Sequence, residues 1–210
     1  MFDLWHFVLF LSAAGVLALM PGPGIFYVAA RTLAGGRGEG LASSFGTGLG
    51  GFVHIIAGAV GVSALVMASA EAFTVLKIVG ALYLVYLGIK TWREAGAAPE
   101  LGNGPAMGVR KAFKEGVIVE AFNPKTAAFF LAFLPQFVDP HAGSVALQFI
   151  VLGTISVALN TSVDVAVTYA ASAVRDRLAK RPVIIRRMRQ TSGGILCALG
   201  LTLALAKRSA

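Results

Sequence analysis

LWHFVLFLSAAGVLALMPGPGIFYVAA, residues Leu4–Ala30, contains no Asp, Glu, Lys or Arg and is long enough to cross a bilayer. Pro21 and Pro23 fall inside it. Each removes a backbone donor and sterically blocks the carbonyl four residues back, on Leu17 and Leu19. In lipid such unpaired groups cost several kcal/mol each unless protein, water or a ligand satisfies them. A helix broken at membrane depth is therefore expected to line a cavity, as the helices of transporters do.

The rest of the chain supports a membrane class. Of 210 residues, 57% are hydrophobic and 13% are charged, against about 25% charged in soluble domains. The net charge of +8 would suit nucleic acid only if the basic residues formed one face of a soluble domain. They cluster instead in short gaps between apolar runs, so no nucleic-acid partner is expected. The N-terminus lacks the basic region of a cleavable signal, and Leu4 onward reads as a retained span.

Six stretches approach the roughly 20 apolar residues of a spanning helix: Leu4–Ala30, Gly40–Ala70, Ala72–Trp92, Ala112–Val138, Ala142–Val174 and Thr191–Ala206. The last is short and borrows from the basic segment before it. Alternate gaps hold 14 of the 18 Lys and Arg residues: Arg31 and Arg37, then Lys90 through Lys114, then Arg175 through Arg189. The positive-inside rule makes that side cytoplasmic and puts both termini outside.

The segment 94–111 is rich in Gly, Ala and Pro and reads as a cytoplasmic linker. It divides a single membrane domain, 1–210, into three-helix halves, 1–93 and 112–210. Three spans per half make the second half enter the bilayer in the opposite sense. Short echoes match the halves: Pro21/Pro23 with Asn123-Pro124, Gly46-Thr47-Gly48 with Gly153-Thr154, and Gly80 and Gly88 with Gly193-Gly194 and Gly200. The expected fold is an all-α membrane protein with a 3+3 inverted repeat, helices one and four broken around a midplane site.

Candidate site residues follow from the breaks. After Pro21-Gly22-Pro23-Gly24, the amides of Gly24, Ile25 and Phe26 open a half-helix whose positive end suits a carboxylate. Asn123 beside Pro124 offers both donor and acceptor. Lys125, Glu120 and Asp164 are ionisable groups inside spans, which marks them for substrate or proton traffic. Asp164, within the polar patch Asn160-Thr161-Ser162, has the alternatives of capping a break or pairing with Lys125. His54 is a candidate proton relay and Tyr83 a candidate cavity lining; packing is the alternative for His54. Gly46 and Gly50 form a GxxxG step for close helix contact, inside the bundle or at a dimer seam.

No cofactor, metal set or catalytic cluster is legible. Cys197 stands alone, and His6, His54 and His141 lie in separate stretches. These absences count against two alternatives, a cation or metal exporter of similar architecture and an integral membrane enzyme. No GxxxxGK[ST] loop is present, so energy is expected from an ion gradient.

Several motifs together resemble the LysE/RhtB (homoserine/threonine exporter) family of bacterial amino-acid exporters over nearly the whole chain. They are Met20-Pro21-Gly22-Pro23, the run Gly35–Leu41 followed by Gly46 and Gly50, Leu76–Gly88, and Asn123-Pro124-Lys125-Thr126-Ala127 continuing through Phe129–Phe137. The resemblance implies a six-span protein of the cytoplasmic membrane that exports amino acids or related small metabolites by proton antiport, and it allows a homodimer. One position departs. Many members carry an aspartate directly after Pro-Gly-Pro, where this chain has Gly24. Glu120 and Asp164 are the acids available to replace it.

Overall fold

The structure, a computed structural model, describes residues 4–68, 70–96, 105–173 and 182–205. All regular elements among the described residues are helical: α1 (Leu4–Leu19), α2 (Pro23–Ala68), α3 (Ala70–Arg93), α4 (Val109–Ala121), α5 (Pro124–Ala128), α6 (Val145–Ala173) and α7 (Pro182–Leu205). α5 runs on into a π-helical turn, Phe129–Phe133, and a 3₁₀ turn, Leu134–Phe137. Two helical segments, Pro23–Gly61 and Val145–Ala173, are long and apolar enough to cross a membrane. The pair Val109–Ala121 and Pro124–Phe137, bent by 40°, makes a third if counted as one span.

The structure revises the boundaries read from the sequence. The gap at Arg31–Arg37 is helical, and the chain turns there at a single residue, Gly36, with φ 80° and ψ −171°. That conformation is essentially restricted to glycine. The two arginines act as ties: Arg31 donates to Pro105 O at 3.3 Å, and Arg37 Nε donates to Ser172 Oγ at 2.8 Å. Helical structure enters both ends of the segment 94–111. Residues 94–96 form a 3₁₀ turn and α4 already starts at Val109; 97–104, with much of the Gly/Pro-rich stretch, lie outside the described residues. The last apolar stretch starts at Pro182 and incorporates Arg186 and Arg187. Arg175 and Arg177 lie outside the described residues.

α2 is the central helix, packed on both α4 and α6, while α3 lies along α7. Glycines explain how closely these pairs approach. A Cβ at Gly46 would strike the carbonyl of Phe113, and one at Gly50 would stand 2.5 Å from Val117 O and 3.1 Å from Ala121 N. The GxxxG step is therefore a seam inside the protomer, between α2 and α4. On the opposite side, Gly48 meets Thr161 and Gly51 meets Val157, both on α6. Gly88 and Gly193 lie against each other's carbonyls between α3 and α7, and Gly200 lies against Ala81 O. The apolar core fills the remaining space with Phe10, Met20, Ile55, Phe130, Phe149 and Leu152.

Candidate functional site

Each helix break leaves a carbonyl without its helical donor, and side chains from elsewhere supply the partners. Pro21 cannot donate to Leu17 O. Leu17 O accepts instead from Met20 N at 3.2 Å and from the Lys125 ammonium at 3.1 Å, and the ammonium also donates to Met20 O at 2.9 Å. Pro124 cannot donate to Glu120 O. That carbonyl accepts from the backbone N–H of Asn123 at 2.9 Å and lies 2.8 Å from His54 Nε2, which must carry the hydrogen because a carbonyl only accepts. His54 thus meets the backbone of Glu120 and not its carboxylate.

Local chemistry sets how the helices restart. Pro23 opens α2, and Gly22 O accepts the first helical bond from Phe26 N at 3.0 Å. Phe26 is therefore not among the free amides expected there; Gly24 and Ile25 remain. Pro124 opens α5, with Asn123 as its cap: Oδ1 accepts from Lys125 N at 3.0 Å. The other end of that amide donates to Glu120 Oε2 at 2.8 Å, while Glu120 Oε1 accepts from Thr126 Oγ1 at 2.6 Å. A Cβ on Gly24 would stand 2.7 Å from Glu120 Oε2. The Glu120 carboxylate thus lies against the positive start of α2, and the Lys125 ammonium lies on the negative end of α1.

Glu120, Lys125 and Asp164 are each no more than 6% exposed. Asp164 does not pair with Lys125. Its Oδ2 lies 2.7 Å from the Thr47 hydroxyl. Glu120, Asp164, Asn123 and Gly24, with Thr47, Thr126, Asn160 and Thr161, surround a polar chamber with about 10 Å³ of free space, room for about one water. Lys125 also borders a second cavity of about 340 Å³, together with Pro21, Gly22, Pro23 and Pro124. Its lining includes two exposed residues, Lys90 near the C-terminal end of α3 and Glu94 in the turn that follows. Of the residues singled out in the sequence, Tyr83 alone stands apart. It is exposed on α3, stacks on Tyr86 at 6.1 Å between ring centroids, and lines neither cavity.

Sequence reasoning did not single out Thr47, Thr126 or Glu39. The first two had a signal, since hydroxyl residues adjoin the glycine echo at 46–48 and Lys125. Glu39 is buried, and its Oε1 accepts from the amides of both Met107 and Gly108 at 2.7 Å. Its Oε2 is buried without a hydrogen-bond partner, 3.8 Å from Arg31. The acid pins the start of α4 to α2. Its neighbour in the Gly35–Leu41 run, Gly36, places it there by turning the chain.

Comparison with known proteins places the chain among transport proteins. The profile of the LysE type translocator family matches residues 15–207. An uncharacterized membrane protein of Vibrio cholerae is 33% identical, covering 98% of this chain and 99% of its own length. The homoserine/homoserine lactone efflux protein of Salmonella typhimurium is 31% identical, with 98% of each chain covered. The leucine efflux protein of an Enterobacter species is 27% identical over 73% of each chain. No solved structure matches the chain.

Proposed function

The chain belongs to the LysE type translocator family, and from that premise we propose that it exports amino acids or closely related metabolites across the cytoplasmic membrane by proton antiport. One observation carries the site assignment. Two helix breaks from opposite halves of the chain meet, and a buried ammonium and two buried carboxyls converge on them. Ionisable groups held at such breaks are the usual equipment of a midplane substrate site.

The roles divide by chemistry. Lys125, with the free amides of Gly24 and Ile25, meets the substrate carboxylate. Pro21, Gly22, Pro23 and Pro124 shape the break and leave space beside it, and Asn123 braces Glu120. Glu120 and Asp164 are the proton carriers, with Glu120 taking the place of the acid absent at Gly24. A substrate carboxylate that draws on Lys125 changes the balance of charge around both acids, which couples the two movements. His54 braces the break through the Glu120 carbonyl, and Tyr83 is assigned no part.

The proposal includes six spans in two inverted halves with both termini outside, as a monomer or as the homodimer the family resemblance allows. The packing of helices in corresponding places of the two halves, α3 on α7 and the long part of α2 on α6, supports two-fold related halves. The test is export. Cells making the protein should tolerate high external homoserine or leucine and hold smaller internal pools than control cells. Proteoliposomes should accumulate the same amino acid when a proton gradient is imposed. No export of any amino acid in both assays would overturn the proposal.

A further inference from the structure

Pro21 does more than interrupt a helix. A residue with an N–H at that position would donate to Leu17 O and close the turn. Without it, Leu17 O keeps one backbone bond, from Met20 N at 3.2 Å, and it and Met20 O both accept from one cation at the negative end of α1. Their occupant, Lys125, is 6% exposed. Among the described residues no carboxylate lies within ion-pair distance of it, and its third N–H has no acceptor. A buried ammonium held by two neutral carbonyls, with one donor unused, is an incompletely satisfied charge.

The same lysine lines the 340 Å³ cavity, whose size falls in the range of small-molecule sites. The chamber on its other side has room for about one water. Gly22 keeps the lysine stem in place, since a Cβ there would stand 3.2 Å from Lys125 Cδ and Cε. Lys125 therefore stands between a large cavity and a small one, resting on two carbonyls that any ammonium could use.

We propose that the carbonyls of Leu17 and Met20 are the subsite for the ammonium group of the transported amino acid, and that Lys125 fills it in the empty protein as a built-in substitute. This deepens the export reading and rests on it. An arriving amino acid offers its carboxylate to Lys125, which leaves the two carbonyls, and its own ammonium takes them over. A cation stays on the carbonyls throughout. A plain amine has no carboxylate to draw Lys125 away, and an α-hydroxy acid leaves Met20 O without a donor and Leu17 O with the Met20 amide alone, so both are rejected.

The test uses the purified full-length chain in detergent, with n-propylammonium as the probe and thermal unfolding as the readout. Wild type should not respond. Lys125→Ala should show a saturable rise in melting temperature of a few degrees, because the vacated carbonyls bind the probe. The double variant Lys125→Ala/Pro21→Ala should lose that response, since the backbone N–H restored at position 21 then donates to Leu17 O. Absence of a response in a monodisperse Lys125→Ala sample overturns the proposal, as does an equal response in the double variant. Should Lys125→Ala not fold, Pro21→Ala alone decides it in proteoliposomes. Its KM for the exported amino acid should rise about tenfold, as expected for the loss of one charge-assisted bond, with kcat much less affected. An unchanged KM refutes the subsite. These readouts fail separately from the export reading, which stands or falls on the wild-type protein.

Discussion

Replacing Glu120 by glutamine and by alanine separates its chemistry from its structural role. The carboxylate accepts from Asn123 Nδ2 at 2.8 Å and from Thr126 Oγ1 at 2.6 Å, and it is 5% exposed. Glutamine keeps both contacts: its oxygen accepts from Asn123 and its amide donates to the Thr126 hydroxyl. The loss is the charge on two hydrogen bonds, about 1 kcal/mol each or about 2 kcal/mol in all. Alanine leaves the Asn123 amide and the Thr126 hydroxyl buried without that partner, about 4 kcal/mol together before any cavity cost. At about 2–4 °C per kcal/mol for a chain of this length, Glu120→Gln should melt about 4–8 °C below wild type and Glu120→Ala more than about 8 °C below. Transport should divide differently. In proteoliposomes Glu120→Gln should still exchange the amino acid down its gradient, yet fail to accumulate it when a proton gradient is applied. If it builds a gradient at the wild-type rate, Glu120 does not carry the coupled proton.

Other expectations are independent of that one. Asp164→Asn should likewise lose uphill accumulation while downhill exchange continues, measured in the same vesicles; wild-type accumulation removes Asp164 from the coupling. Gly50→Val drives its side chain into the backbone of α4 at Val117 and Ala121 and should cost about 3 kcal/mol or more. Gly15→Ala, with nothing within 4 Å of the new methyl, should be neutral or slightly stabilising; comparable melting temperatures for the two would contradict the α2–α4 seam. Glu39→Ala should cost about 3 kcal/mol by freeing the amides of Met107 and Gly108, seen as faster hydrogen exchange at those two sites, and unchanged exchange there would show that the clamp is not formed. In a Cys197→Ala background, a cysteine at Ala142 should react with an impermeant thiol reagent outside intact cells and one at Ala106 should not. The reverse pattern would invert the topology.

What the sequence determined by itself is local. Proline lacks an N–H wherever it sits, so Pro21, Pro23 and Pro124 announce interrupted helices and orphaned carbonyls without reference to any neighbour. The long uncharged runs and the one-sided distribution of Lys and Arg likewise declare a membrane chain through composition alone. Tertiary structure decided who answers those carbonyls. Lys125 reaches Leu17 across 108 positions and His54 reaches Glu120 across 66, and no spacing rule joins residues so far apart. Glu120 settles against Gly24 only because glycines at 46 and 50 let α2 and α4 touch. Tyr83 reads as a cavity residue by type, yet helix packing turns it away from both cavities. Glu39, a charge in a glycine-rich stretch, carries no local sign of burial. It becomes a buried clamp because helix hydrogen bonding continues through that stretch with a single bend at Gly36. A broken helix is written in the chemistry of one residue, whereas the group that satisfies the break is set by which helix faces lie together once the bundle is packed.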